Sequence, residues 1–209
     1  MKLNNKSSLK IYVFILCVLT PHAETRGAWG FFGHRKINLL ATYTLPPPLH
    51  SFYRRHQGEL QELAVLPDAR RYIVDEEAAR HYIDLDKYDL NKISFTTWEQ
   101  MLRKIPEDSL RTHGIVPWYI PIVYQRLVNA FLKKDSTQII KLSAELGHYV
   151  ADAHVPLHTS SNYDGQKTGQ TGLHSFWESR IPEILDKQLD QFIGPSIYIL
   201  NVQEASWSW

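Results

Sequence analysis

His148, Asp152 and His158 follow one another at the spacing H-x3-D-x5-H, and His174 and Glu178 at H-x3-E. Imidazole mixed with carboxylate is the ligand chemistry of catalytic zinc, whereas closed structural zinc sites usually use cysteine thiolates. Cys17 is the only cysteine and lies in a hydrophobic run near the start, so the chain beyond it has neither thiolate ligands nor a disulfide framework. A single histidine on a helix is more often an ordinary, partly buried side chain. Five ligand-type residues at these intervals reverse that reading and point to a metal site.

The elements that must position them are helical. Asp135 to Val155 reads as a helix capped by Asp135 or Ser136, and its four-residue spacing puts His148 and Asp152 on one face. Pro156 stops that helix and lets His158 turn back toward the same point. Residues 159–172 are polar and rich in glycine and threonine, the composition of a surface loop. His174 then opens a further helix, with Glu178 one turn on, which Pro182 kinks or restarts. Upstream, helices are expected over Gly33 to Leu45, ended by Pro46-Pro47-Pro48, and over Leu49 to Ala64. A loop is expected over Pro67 to Arg71, with short helices at Glu76 to Tyr82 and Thr96 to Arg103. A longer helix runs from Pro117 to Lys134, with Pro117 as its first residue and Pro121 as a bend. Trp118, Tyr119 and Tyr124 read as core rather than as a stacking platform. His154 points off the ligand face, and Arg35, Arg70 and Arg71 read as surface residues beside proposed ligands. No strand pattern competes, so the fold class is all-α, a single-domain helical bundle.

The first 28 residues have the layout of a secretory signal peptide. Lys2, Lys6 and Lys10 precede a nearly continuous apolar run from Ile11 to Thr20, too short to span a bilayer. Leu16 stands where a lipoprotein signal needs a small residue, so no lipid anchor is read, and Ala23 and Ala28 are the candidate cleavage residues. The expected organisation is residues 1–28 as signal and 29–209 as the domain, in a secreted or periplasmic protein. The whole chain has 23 basic and 22 acidic residues. Without the first 28 the net charge is about −2, with no basic stripe. That counts against a non-specific polynucleotide binder, although bound zinc would add positive charge that a residue count misses.

Three further sites in the chain hold ligand-type residues: Trp29-Gly30-Phe31-Phe32-Gly33-His34, Asp68 in Leu66-Pro67-Asp68-Ala69-Arg70, and His81 in His81-Tyr82-Ile83-Asp84. With the downstream spacings, this order resembles the superfamily that joins bacterial zinc-dependent phospholipases C with fungal single-strand-specific zinc nucleases. The resemblance runs from Trp29 to Glu178. It implies an all-helical secreted enzyme with three zinc ions in one cleft. Asp68, His81, His148 and Asp152 would hold one ion, and His158, His174 and Glu178 a second. The third would be held by His34, by Asp152 as a bridge, and by the free amino group and carbonyl of Trp29 once the signal is removed. The resemblance also suggests Asp68 as a general base.

Three Zn²⁺ facing Asp68, Asp152 and Glu178 leave a strongly cationic cleft, which suits an anionic phosphodiester. Within the superfamily, Glu178 as last ligand favours the phospholipase C side, since the nucleases typically have aspartate there. Gly172-Leu173-His174 lacks the asparagine usual before the nuclease histidine, and Asn162 to Thr171 lacks a glycine-glycine-asparagine run. The expected activity is therefore phospholipase C-like, by a monomer making transient contact with a membrane surface. The alternatives are a single-strand-specific endonuclease and a non-catalytic zinc-binding module. The chain stops at Ser206-Trp207-Ser208-Trp209, where the resemblance implies more helical sequence. Two tryptophans there suggest a core segment cut short, and hence a truncated product.

Overall fold

A computed structural model describes residues 30–187 and 196–209. The expected signal peptide and Trp29 lie outside the described residues. The described residues are helical, without strands: α1 (Phe31–Tyr43), α2 (Pro47–Arg55), α3 (Gln57–Leu63), α4 (Leu66–Arg70), α5 (Leu90–Ile93), α6 (Trp98–Leu102), α7 (Glu107–Thr112), α8 (Val116–Leu132), α9 (Ser136–Ala153), α10 (Leu173–Ser175), α11 (Ile181–Leu185) and α12 (Val202–Ser208). None of these helices is long and apolar enough to cross a membrane.

The antiparallel pair α8 and α9 carries the core. Trp118, Ile120 and Val123 of α8 and Ile139, Ile140, Ala144 and Tyr149 of α9 are buried together with Met101, Leu110 and Ile93. Asp135 caps α9, its carboxylate accepting the Gln138 amide at 3.1 Å. Thr97 and Gln100 cap α6 reciprocally. Tyr124 departs from expectation: Trp118 and Tyr119 are buried, but the α8 register turns Tyr124 out to solvent.

Prolines account for several boundaries and for two long-range contacts. Pro47 lies in the first turn of α2, where its fixed φ is compatible with a helix, so the triple-proline run starts a helix as well as ending one. The continuous helix expected over Leu49 to Ala64 is broken at His56, where the backbone leaves helical geometry (φ −109°, ψ 15°). Pro67 likewise sits in the first turn of α4, so the expected loop over Pro67 to Arg71 is instead a short helix. Glu76 to Tyr82 is reduced to a 3-10 turn, Ala78–Arg80.

Inside a helix a proline has no N–H for the carbonyl four residues back. Pro121 thereby leaves the carbonyl of Pro117, which accepts the Ser206 hydroxyl of α12 at 2.8 Å. Pro182 leaves the carbonyl of Glu178, which accepts the Gly30 amide at 3.1 Å. A π-helical turn, Phe176–Arg180, connects α10 to α11 just before this proline, where a kink or a restart was expected. The first contact docks the end of the chain on α8, with the Trp207 ring 5.1 Å from that of Trp118. The second ties the start of α1 to the element carrying Glu178.

Candidate metal centre

α9 presents His148 and Asp152 from one face, both fully buried. His148 Nδ1 lies 2.8 Å from the Ala64 carbonyl. A carbonyl can only accept, so the proton is on Nδ1 and the Nε2 lone pair faces inward. There it stands 3.3 Å from Asp152 Oδ2 and 3.0 Å from His81 Nδ1, which is itself 2.8 Å from Asp152 Oδ2. Asp68, on α4, brings Oδ1 to 3.8 Å from His81 Nδ1 and 4.0 Å from His148 Nε2. From α1, His34 brings Nε2 to 3.5 Å from Asp152 Oδ1 and 3.9 Å from Asp68 Oδ2. Asp152 therefore turns one oxygen to His81 and His148 and the other to His34, the disposition a bridging carboxylate needs.

A second group adjoins the first. His158, in the 3-10 turn Pro156–Thr159, has Nε2 3.1 Å from His174 Nε2 and 3.4 Å from Glu178 Oε1, and Glu178 Oε2 lies 2.8 Å from His174 Nε2. His158 Nδ1 is 3.7 Å from Asp152 Oδ1, so the two groups meet at Asp152. The backbone locks them together: the Ile83 amide donates to the His158 carbonyl at 2.9 Å, and Ile115 and Val116 donate to the carbonyls of Ala79 and Tyr82. Gly114 makes the last contact possible. Its φ is +83°, and a Cβ there would fall 2.1 Å from the Tyr82 carbonyl oxygen.

The electrostatics suit a bound cation. Burial pushes the Asp68 and Asp152 carboxyls up to about 6, opposed at Asp68 by His148 and at Asp152 by contact with His81. Burial pushes the His148 and His158 imidazoles down, and at His158 the neighbouring imidazoles of His174 and His81 add to this. Two imidazole nitrogens 3.0 or 3.1 Å apart need a shared proton or a cation between them. Asp68 Oδ2, Asp152 Oδ1 and His158 Nδ1 are buried without a hydrogen-bond partner, a state that is costly away from water. Nitrogen and carboxylate donors at this density suit zinc. They gather as His34 with His148 and Asp152, Asp68 with His81 and His148, and His158 with His174 and Glu178, the donor atoms within 4.8 Å in each set.

Of the nine expected ligands, eight thus come together, and Trp29 lies outside the described residues. A cleft of about 620 Å³ opens on the cluster, lined among others by Arg71, His81, Tyr82, Asp84, His158 and Tyr163. Arg71 is not simply a surface residue: Nη1 stands 3.4 Å from Asp68 Oδ1 at the cleft wall. Arg70 points instead into a buried network with Glu77 and Glu145. Arg35 pairs with Glu62 on the exterior, and His154 is exposed, its ring stacked on Trp209. Glu77 is a further residue at the site, unmarked in the sequence except by its four-residue spacing to His81.

No curated protein and no solved structure matches the chain. The family profile described as S1/P1 nuclease matches residues 29–204, an interval that contains every ligand-type residue described above. That family lies within the superfamily of zinc-dependent phospholipases C and single-strand nucleases, without singling out the phospholipase branch. With an all-helical fold and a buried histidine–carboxylate cluster of this kind, the chain belongs to the S1/P1 nuclease family, whose members are zinc-dependent phosphodiester hydrolases.

Proposed function

We infer that the protein cleaves phosphodiester bonds of single-stranded nucleic acid in the cleft above Asp152, with up to three zinc ions held by His34, Asp68, His81, His148, Asp152, His158, His174, Glu178 and the amino end of Trp29. The observation that carries this reading is the placement of Asp152 between the two histidine groups, in a chain whose residues 29–204 match the nuclease family profile. Export, with removal of residues 1–28, belongs to the same proposal, because the α-amino group of Trp29 exists only after cleavage.

Zinc bound there supplies positive charge for the phosphoryl oxygens and lowers the pKa of a coordinated water to about 7. The chain does the rest. Asp68, at the wall of the cluster, takes a proton from the attacking water. Arg71 is held against Asp68 and projects into the cleft, where its guanidinium donates to a non-bridging phosphate oxygen. Tyr82 and Tyr163 offer ring faces on which unpaired bases stack, a contact that tolerates any base and excludes a stiff duplex.

A second reading, hydrolysis of a phospholipid head group, is supported by Glu178 in the last carboxylate position. Phe176 and Trp177, half-exposed beside it, suit an interfacial anchor. One experiment separates the readings. The protein starting at Trp29 is offered single-stranded DNA, the matching duplex and phosphatidylcholine vesicles, with and without a chelator that zinc reverses. Zinc-dependent cleavage of the single strand alone supports the nuclease. Release of phosphocholine alone overturns it in favour of the lipase.

A further inference from the structure

Beneath the first ligand group lies a carboxylate with no part in the reaction described above. Glu77 is fully buried. Its Oε2 lies 2.5 Å from Arg80 Nη1, Arg70 reaches both oxygens at 3.3 Å, and the Tyr149 hydroxyl donates to Oε1. Arg70 continues to Glu145 at 2.5 Å and to the Tyr149 hydroxyl at 3.1 Å, and the Arg80 guanidinium sits 4.7 Å from the centre of the Tyr119 ring. Two half-buried arginines against two buried glutamates make a cluster without net charge. Such clusters are seldom more stabilising than apolar packing of equal volume, so stability alone does not explain this one.

The cluster surrounds the back of His81. That imidazole turns Nδ1 toward Asp152 and His148 and Nε2 toward Glu77, whose Oε1 lies 3.7 Å away. An imidazole that ligates through Nδ1 must carry its proton on Nε2, and coordination makes that N–H a better donor. A small rotation of the ring then closes the gap to a hydrogen bond. We propose that Glu77 is a positioning residue of the metal centre: it accepts the Nε2–H of His81, fixes that tautomer and ring orientation, and is itself held by Arg70, Arg80 and Tyr149. The same network spans three of the four segments that bring ligands to the first group. Arg70 lies on α4 with Asp68, Arg80 precedes His81, and Tyr149 follows His148. The inference rests on the metal-centre reading above.

The test measures zinc affinity, by competition with a chromophoric chelator, in the wild type and in Glu77→Gln, His81→Ala, the double variant and Arg80→Met. Arg80→Met breaks the same cluster without facing His81. Melting of the zinc-free proteins is followed in parallel. Glu77→Gln is expected to weaken zinc binding about 10- to 100-fold, and the double variant to bind no more weakly than His81→Ala alone. Arg80→Met should lower the melting temperature with a much smaller effect on zinc. Wild-type affinity in Glu77→Gln overturns the proposal. So does a loss of affinity that merely tracks the loss of melting temperature in both Glu77→Gln and Arg80→Met. If Glu77→Gln does not fold, the imidazole ¹⁵N–¹H spectrum of the zinc-loaded wild type decides: a His81 proton on Nε2 with a downfield, exchange-protected resonance supports the proposal, and a proton on Nδ1 overturns it. A folded wild type that binds no zinc, with His81→Ala indistinguishable from it, defeats the metal-centre reading and this inference with it.

Discussion

The imidazole of His34 stacks on that of His148, ring centres 3.7 Å apart and planes within 19°. This contact depends on how closely α1 crosses α9, and the crossing point is Gly147. A Cβ there would lie 2.4 Å from Asn38 Oδ1, and Asn38 is buried with its amide nitrogen bonded to the His34 carbonyl. Helix propensity favours alanine over glycine by about 1 kcal/mol, but overpacking typically costs about 1–3 kcal/mol. Gly147→Ala should therefore destabilise the protein in urea unfolding and weaken zinc binding through the displaced His34. A variant more stable than wild type would show that α1 yields without strain.

The end of the chain is fastened by the Ser206 hydroxyl on the Pro117 carbonyl, a proton it shares with the Gln203 carbonyl at 2.9 Å. Ser206→Ala leaves a buried carbonyl without its donor and should cost about 1–3 kcal/mol in chemical denaturation. In a Pro121→Ala background, the restored amide serves that carbonyl within α8. The cost of losing Ser206 should then shrink, and equal losses in both backgrounds would refute the link.

The paired carboxyls give a pH signature in the metal-free protein. Asp68 and Asp152 are pushed up to about 6 from 3.8. Between these values the folded state keeps protons that the unfolded chain has released. Their contribution to stability is therefore present below about 4 and lost as pH rises through about 6. Buried His148 and His158, with depressed values, act in the opposite sense, so the informative quantity is a difference. In chelator, Asp152→Asn should gain stability relative to wild type as pH rises from about 4 to about 6 and then level off. A difference independent of pH contradicts the account of the pair.

Arg71 tests the placement of substrate. Arg71→Met removes the guanidinium from the cleft while leaving every proposed ligand. Zinc content should stay at the wild-type level and kcat/KM should fall by about 10²-fold or more, as when other preorganised donors are removed. Unchanged kcat/KM would return Arg71 to the role of a surface residue.

Much of this was legible in the sequence because it follows from periodicity. His148 with Asp152 and His174 with Glu178 announce themselves by four-residue spacing, and α8 and α9 by caps, prolines and apolar stripes. His34, Asp68 and His81 carried no such local signal, and only the order of the family motif picked them out. The failures have physical causes. A proline reads as a breaker, yet at Pro47 and Pro67 it opens a helix, because first-turn amides lack intrahelical acceptors anyway. His56 breaks a stretch whose apolar pattern runs on. Gly147 matters only through Asn38, a partner distant in sequence, and Glu77, although it stands four residues before His81, is held in part by Tyr149, which lies 72 residues on. The preference for a phospholipase rested on Glu178 and a few loop residues, and the family match over residues 29–204 bears out the zinc-dependent phosphodiester hydrolase without distinguishing that branch.

The central claim is that these buried histidines and carboxylates form a metal centre for phosphodiester cleavage. It is tested most directly by titrating zinc into the metal-free protein starting at Trp29 while following hydrolysis of a single-stranded oligonucleotide, with Asp152→Asn alongside. The account predicts no cleavage before zinc is added, recovery with zinc in the wild type, and none in a folded Asp152→Asn. Cleavage that persists in chelator, or full activity in Asp152→Asn, would contradict it.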